Sequence, residues 1–293
     1  MITVIITAYR EPETIGTAID AFLPQLPQNA ELIVVCPDPE TTAVVAQYIR
    51  QDPRIKHIAD TQQGKPAALN IGLQAAQHDL VIFTDGDVVV AADAVAPLIA
   101  PFAEAAVGAV TGQPVSSSPR TTMLGYWSHL LVHGAHAERL RRHQAGDFLL
   151  CSGYLFAARK SLITVIPEDA LAEDAVISHR IAEKGWHIWY APTAKVFVKY
   201  PTTYTDWLRQ KVRSAGGYAQ DHVRSSPFQM RSPRLEIMHG TWLALRFAQN
   251  LRELVWTKLL FAARLHLWWL VFWQVRVRKR PLSDLWQRVE TTK

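Results

Sequence analysis

Apolar positions along the chain keep two rhythms that take turns. Residues 2–6, 32–35 and 80–83 are short, nearly unbroken apolar runs, the pattern of strands covered on both faces. Residues 54–58 form a shorter run of the same kind. Between them, residues 14–23 and 41–50 repeat their apolar positions at helical spacing, and Gly64-Lys65-Pro66 opens a third helix with proline suited to its first turn. Strand and helix alternating at this spacing predict an α/β fold, a mostly parallel sheet with helices on both faces. Further along, a helix is expected over 93–106, a strand over 107–111, a loop at 116–119 and a long helix over 122–144. Residues 148–158 read as a strand broken at Ser152-Gly153, where the glycine permits close approach of a ligand. A helix over 172–184 turns Val176, Ile177 and Ile181 inward. Strands over 188–190 and 196–200 then lead to a helix over 204–215, closed by Gly216-Gly217. Residues 225–233 have the composition of a linker, and helices are expected over 235–250 and 254–275. This divides the chain into a catalytic-sized domain, residues 1–224, and an appendage, residues 225–293.

Composition narrows the class. Of 293 residues, 49% are apolar and 19% charged, which supports a large core and argues against disorder. The net charge of +5 is concentrated late. Residues 199–234 hold seven Lys/Arg against two acids, and residues 276–293 six against two. With several tryptophans nearby, this points to an anionic surface: membrane headgroups, a phosphate-bearing substrate or nucleic acid. Two cysteines, Cys36 and Cys151, form no CxxC pair, which excludes a disulfide scaffold and fits a reducing compartment. No secretory leader and no charge-free stretch of about twenty residues is apparent, so neither export nor a simple spanning helix is expected.

The candidate chemistry gathers where predicted parallel strands end, the edge at which open α/β sheets bind ligands. The strand over 80–83 runs into Thr84-Asp85-Gly86-Asp87. Two close carboxylates call for a cation, and a hard divalent ion such as Mn²⁺ or Mg²⁺ suits them; a turn with two solvated acids has the same pattern. Thr7 and Tyr9 follow the first strand and can meet a base by hydrogen bonding and stacking. Asp38 follows the second and can accept from a ring N–H. Lys65, at a helix start, can neutralise a phosphate. Packing, turn formation and a solvated charge are the plain alternatives for Tyr9, Asp38 and Lys65. Glu173 and Asp174 open a helix, either as ordinary complements of its dipole or as a catalytic base. His129 and His133 stand at a metal-site spacing, but no carboxylate completes an HExxH pattern, which favours structural or acceptor-lining histidines. Neither GxGxxG after the first strand nor GxxxxGK[ST] occurs, which disfavours dinucleotide dehydrogenases and P-loop NTPases.

Taken in order, ITAYRE, CPDPE, GKPAALN, TDGD, SGYLFAARK, LAEDAVISHRIAEKGW and YPTTYTDWLRQKVR resemble family 2 glycosyltransferases of the GT-A (Rossmann-like) fold, nearest the membrane-associated branch of cellulose, chitin and hyaluronan synthases. The resemblance spans residues 1–218. It implies that Thr7, Tyr9 and Asp38 hold the base of a UDP- or GDP-sugar, that Glu11 approaches the ribose and that Lys65 lies near the diphosphate. Asp85 would contact the nucleotide and Asp87 would ligate the metal. Asp174 stands at the general-base aspartate of the family's TED motif, with Glu173 beside it. Gln210 and Arg213 match QxxRW, with Arg213 toward the diphosphate. Two positions depart from the pattern: Arg10 stands where asparagine is usual, and Ser214 replaces the motif's tryptophan, so the acceptor platform of processive synthases is not matched.

The expected function is therefore inverting, metal-dependent transfer of a sugar to a hydroxyl of a glycan or lipid-linked acceptor. The appendage, with Trp268, Trp269 and Trp273 before Arg276-Val277-Arg278-Lys279-Arg280, is expected to be amphipathic and to bind an anionic membrane surface rather than nucleic acid, the plain alternative being a helix packed on the catalytic domain or on a second subunit. The expected location is the cytoplasm, peripheral or monotopic on the membrane's cytoplasmic face. The alternatives are a sugar-phosphate nucleotidyltransferase, whose glycine-rich loop TAYREPE lacks, and a non-catalytic sugar-nucleotide-binding or membrane scaffold protein.

Overall fold

The computed structural model describes residues 1–218, 220–228, 233–273 and 292. Strands β1 (Ile2–Thr7), β2 (Glu31–Val35), β3 (Ile55–Ile58) and β4 (Leu80–Asp85) alternate with helices α1 (Ile15–Phe22), α2 (Pro39–Gln51) and α3 (Lys65–Ala75). After β5 (Val88–Val90) come α4 (Val95–Ile99), β6 (Val107–Ser116), α5 (Met123–Ala145), β7 (Leu155–Arg159), α6 (Glu173–Glu183) and β8 (His187–Val198). Helices α7 (Tyr204–Gly217), α8 (Asp221–Arg224), α9 (Pro233–Phe247) and α10 (Leu251–Phe272) complete it. One sheet holds all eight strands in the order β3-β2-β1-β4-β7-β6-β8-β5. The first four are parallel, as their βαβ connections require. Beyond β4 the sheet is mixed: β7 runs antiparallel to β4 and β6, β8 parallel to β6, and β5 antiparallel to β8.

Both faces of the sheet are covered, which is why the early strands show no polar alternation. Ile2, Val4, Ile6, Leu32, Val34 and Ile82 face one buried cluster. Ile5, Ile33, Val35, Val81 and Phe83 face the other. Phe83 and Phe156 are directly opposed across β4 and β7, and their rings stack with centroids 4.6 Å apart.

Several elements differ from the pattern-based expectation. The helix over 93–106 is only α4 followed by a 3-10 turn, because Pro101 can supply no N–H to continue it. The strand over 107–111 extends to Ser116, paired all the way with β8. The two strands over 188–190 and 196–200 are one, β8, which crosses Pro192 through register shifts. Of 148–158 only Leu155–Arg159 is strand. Helix α7 runs through Gly216-Gly217, its last two residues, to a cap at Tyr218. A Cβ on Gly217 would come within 2.6 Å of Ala172 Cβ, so this glycine lets α7 seat against the start of α6.

Helices α9 and α10 dock on the rest of the chain. Leu260 and Ala263 of α10 and Ala244 of α9 pack with Tyr126, Trp127 and Trp207. Arg120 makes two hydrogen bonds of 2.9 Å to the Glu253 carboxylate and a third, of 3.0 Å, to Phe247 O. Trp127 Nε1 donates to Trp256 O at 2.7 Å. The opposite face of α10 stays open, with Leu265 72%, Trp269 56% and Phe272 60% exposed. Contrary to the sequence-based expectation, α10 is long and apolar enough to cross a membrane by length and composition. The basic run at 276–280 lies outside the described residues.

Candidate active site

Parallel pairing sets the carboxyl ends of β1, β2 and β4 side by side, with Thr7 opposite both Val35 and Asp85. Thr7 Oγ1 donates to Asp85 Oδ1 at 3.3 Å. Gly86 sits where the chain cannot carry a side chain. A Cβ there would lie 2.6 Å from Glu11 Oε2 and 2.8 Å from Ala8 Cβ, so Thr84-Asp85-Gly86-Asp87 lies against the loop after β1. The glycine serves close approach rather than a left-handed turn, since its φ is not positive.

That loop holds one of two non-glycine residues with positive φ among those described, Arg10 at 53°. The conformation is fixed from below: Arg10 N donates to Asp38 Oδ2 at 2.8 Å, and Thr41 N to Asp38 Oδ1 at 2.9 Å. Asp38 is thus the N-cap of α2, with each oxygen already accepting one backbone N–H. Burial alone would raise its pKa; the hydrogen bonds from Thr41 and Arg10 outweigh it, and the carboxyl sits below its usual range. Tyr9, Arg10, Asp38, Pro39, Glu40 and Gln62 line a cleft of about 360 Å³.

The antiparallel entry of β7 brings the second half of the chain to this edge. Thr84 pairs with Leu155, and its hydroxyl donates to Tyr154 O at 2.8 Å. The preceding residue, Gly153, donates its N–H to Asp174 Oδ2 at 2.9 Å, while Ala175 N holds Oδ1 at 2.8 Å. A Cβ on Gly153 would meet Asp174 Oδ2 at 3.3 Å and Glu173 Oε1 at 3.7 Å. The pair of acids at the start of α6 thus closely approaches this glycine.

Lys65 closes the ring. Its ammonium lies 2.6 Å from Asp85 Oδ1 and 2.8 Å from Glu173 Oε1, with the side chain 28% exposed. Burial favours the neutral amine, but the two carboxylates prevail and its pKa lies above the ordinary lysine value. The same balance holds for Glu173: burial pushes its pKa up, Lys65 pulls it down further, and the net shift is downward. Asp174 goes the other way. Burial comes first and the charge of Glu173 second, and together they raise its pKa. Adjacent acids pushed apart in this way are the usual arrangement where one must move a proton and its neighbour must stay charged.

Arg213, on α7, is near enough for its charge to act on Glu173 and Tyr154. Gln210, one turn earlier, has a buried Oε1 without a hydrogen-bond partner. Tyr154 escaped the sequence reading. Its hydroxyl is held protonated first by burial and then by the charge of Asp87, with Arg213 and Asp85 also in reach. Only its position after Ser152-Gly153 marked it out, and an aromatic at a strand start is ordinary. The site thus brings together Thr7, Lys65, Asp85, Glu173, Asp174 and Tyr154, with Arg213 and Asp87 at its margin. Tyr9 and Asp38 line the neighbouring cleft, and Glu11 lies against Gly86.

No cluster of three or more acidic, histidine or cysteine side chains suited to a metal occurs among the described residues. His129 Nε2 lies 2.8 Å from Ser118 O and His133 packs on Phe247, so that pair is structural. Burial raises the Cys36 thiol to about 11 and the Cys151 thiol to about 12, leaving neither reactive at neutral pH.

A family profile described as Glycosyltransferase like family 2 matches residues 1–217. The chain belongs to this family. It is therefore an enzyme, a glycosyltransferase, and membership sets the nucleotidyltransferase alternative aside. Among curated proteins it is 27% identical over 245 residues to the poly-beta-1,6-N-acetyl-D-glucosamine synthase of Staphylococcus aureus (strain COL), covering 80% of this chain and 59% of that one. The Staphylococcus epidermidis synthase is 25% identical over 224 residues, 74% of this chain and 54% of its own. The chain thus spans less than two thirds of the length of these relatives. Among solved structures, the mannosyltransferase PcManGT from Pyrobaculum calidifontis, in complex with GDP-Man and Mn²⁺, superposes with a TM-score of 0.62 at 21% identity, covering 97% of this chain and 84% of that one. GalNAc-T7 with UDP, GalNAc and Mn²⁺ gives 0.54 at 18% identity, over 83% and 55%. These likenesses establish the GT-A fold of the family 2 transferase.

Proposed function

We propose that this transferase moves a sugar from a UDP- or GDP-sugar to a hydroxyl of a glycan or lipid-linked acceptor, with inversion at the anomeric carbon. The observation that carries the reading is the Lys65 ammonium held between Asp85 and Glu173, because it joins the sheet's nucleotide edge to the acids of α6. Thr7, Tyr9 and Asp38 hold the base, the last two from the cleft they line, with Glu11 toward the ribose. Lys65 and Arg213 stabilise the negative charge that grows on the departing diphosphate. Gln210 offers its buried oxygen to a bound group. Asp174 takes the proton of the acceptor hydroxyl as its oxygen attacks from the face opposite the diphosphate.

The carboxylates of Asp85 and Asp87 are hard oxygen donors that fit Mn²⁺ or Mg²⁺, with Asp87 as the metal ligand. Two carboxylates are too few to complete a coordination shell, so the ion would be shared with the diphosphate. When bound, it supplies Lewis-acid neutralisation of the leaving group. Turnover of UDP- and GDP-sugars with Mn²⁺, with and without oligosaccharide acceptors, tests the whole reading. No hydrolysis or transfer from any donor would favour a scaffold protein.

A pH profile tests the division of labour between the two acids. Asp174 must be ionised to act, and its pKa is raised, so activity should fall with decreasing pH at a value above the ordinary aspartate range. Part of that rise comes from the charge of Glu173. Glu173→Gln removes the charge and should move the acid limb of kcat/KM to lower pH. A limb that stays in place would assign it to another group.

Residues 225–293 are proposed to bind an anionic membrane surface from the cytoplasmic face, peripherally or monotopically, with residues 1–224 as the catalytic domain. Support comes from the open face of α10 and the basic run at 276–280. Full-length protein should float with vesicles containing phosphatidylserine. Truncation at Arg224 would uncover Tyr126 and Trp127, so point changes are the cleaner test. Trp269→Glu with Phe272→Glu should abolish flotation. Neutralising Arg276, Arg278, Lys279 and Arg280 should weaken it, at about 1 kcal/mol per charge. Unchanged flotation in both variants would refute the membrane role of the helix.

A further inference from the structure

Beside the site lies a group of cationic side chains that the proposed reaction does not use. His136 and Arg139 stand three residues apart on α5, one turn after His133, which packs on Phe247. Strand β8 meets α5 there: His136 Nδ1 lies 2.7 Å from the Tyr190 hydroxyl, with ring centroids 5.8 Å apart. The half-buried Arg139 guanidinium makes one long contact, Nε to Leu150 O at 3.5 Å, and pairs with no carboxylate among the described residues. The nearest acid in sequence, Glu138, is taken by Arg141 and Arg142 at 2.9 and 2.7 Å.

Fields in the region agree with this geometry. His136 is held toward its neutral form by burial first, then by His133, Arg139 and Lys195, all of one sign. The Arg139 charge also reaches the buried hydroxyls of Tyr190 and Tyr200. The cluster adjoins the catalytic edge, since the Tyr200 and Tyr154 rings lie 6.2 Å apart and Tyr154 borders Asp85, Asp87 and Arg213. The Arg139 guanidinium, partly exposed and with no carboxylate partner among the described residues, keeps N–H donors that an anion can reach. In the proposed reaction the donor's diphosphate is served by Lys65 and Arg213.

We propose that the acceptor carries an oxyanion, a phosphate or a carboxylate, which Arg139 receives with Lys195 nearby. The inference rests on the transferase reading and narrows its acceptor to an anionic one. The planar guanidinium binds either oxyanion through paired N–H donors, which a neutral sugar cannot match in charge.

The test fills the donor edge of the full chain with UDP or GDP and Mn²⁺, then titrates methyl phosphate and, separately, methyl glucuronide. Binding is followed by calorimetry and by the His136 ring resonances. At least one anion should bind and raise the apparent pKa of His136, since a nearby negative charge favours the imidazolium. Tighter binding of methyl phosphate marks a phosphate-bearing acceptor, and of the uronide a carboxylate. Arg139→Gln should weaken binding by about tenfold or more, with partial recovery in Arg139→Lys. Lys195→Ala, at an exposed position, should weaken it less, and none of the three should change donor hydrolysis. If neither anion binds wild-type protein, or if Arg139→Gln and Lys195→Ala bind as wild type does, the proposal fails. Absence of donor hydrolysis in wild type would overturn the transferase reading instead, while the anion titration would still be readable.

Discussion

Asp174→Asn should lower transfer by about 10²-fold or more while changing nucleotide affinity only a few-fold. Asparagine keeps the volume and one oxygen, but it cannot take the acceptor's proton. Its amide must also turn an NH₂ toward one of the two N–H groups that now donate to the carboxylate, Gly153 N or Ala175 N. That mismatch leaves a buried donor unsatisfied and costs about 1–3 kcal/mol, so thermal unfolding should be measured alongside rate. Both consequences are separable from donor binding, because the base cleft lies at the loops after β1 and β2 and Lys65 retains Asp85 and Glu173. A loss of UDP or GDP binding in proportion to the loss of rate would make Asp174 a binding residue and leave the reaction without its base.

The contrast between Lys65 and Tyr154 shows what the sequence made legible. A lysine at the start of a helix, after a glycine and before a proline, declares a local setting, and that setting is what the structure has. Its second partner, Glu173, could not be read, since no local pattern ties α3 to α6. Their meeting depends on β7 entering antiparallel beside β4, a topology that apolar runs do not encode. The same applies to Tyr154, which is placed by that pairing. Strands β1, β2 and β4 were legible because burial on both faces writes itself as unbroken apolar residues. β8 was split in the reading because Pro192 and Thr193 interrupt a pattern that its pairing with β6 carries across. The face by which α10 docks was illegible for a related reason. Its buried face is Glu253, Thr257, Leu260, Ala263 and Leu267, less apolar than the face left open. Hydrophobicity alone would have turned that helix the other way; Arg120, which donates to Glu253, and the Tyr126 hydroxyl, which pairs with that of Thr257, decide its orientation.

Excess EDTA should abolish turnover, and Asp87→Ala should lower Mn²⁺-dependent turnover by about 10²- to 10³-fold, the usual loss when one stabilising contact to developing charge is removed. The reason is the shortage of protein ligands. Asp85 and Asp87 supply carboxylate oxygens, but Asp85 already spends one on the Lys65 ammonium, and no further acid, histidine or cysteine completes a cluster among the described residues. Mn²⁺ alone should therefore bind weakly, and UDP or GDP should strengthen its binding by supplying diphosphate oxygens; by linkage Mn²⁺ must strengthen nucleotide binding by the same factor. Lys65→Met provides the opposing case. It removes the cation that neutralises Asp85 and Glu173, so Mn²⁺ should bind more tightly without nucleotide even as transfer falls. Calorimetric titration of Mn²⁺ into wild-type, Asp87→Ala and Lys65→Met proteins, each with and without nucleotide, reads all three expectations. Equal Mn²⁺ affinity with and without nucleotide in wild type would show a complete protein site that these side chains do not form. Full turnover of wild type in EDTA would leave Lys65 and Arg213 as the whole of the leaving-group stabilisation.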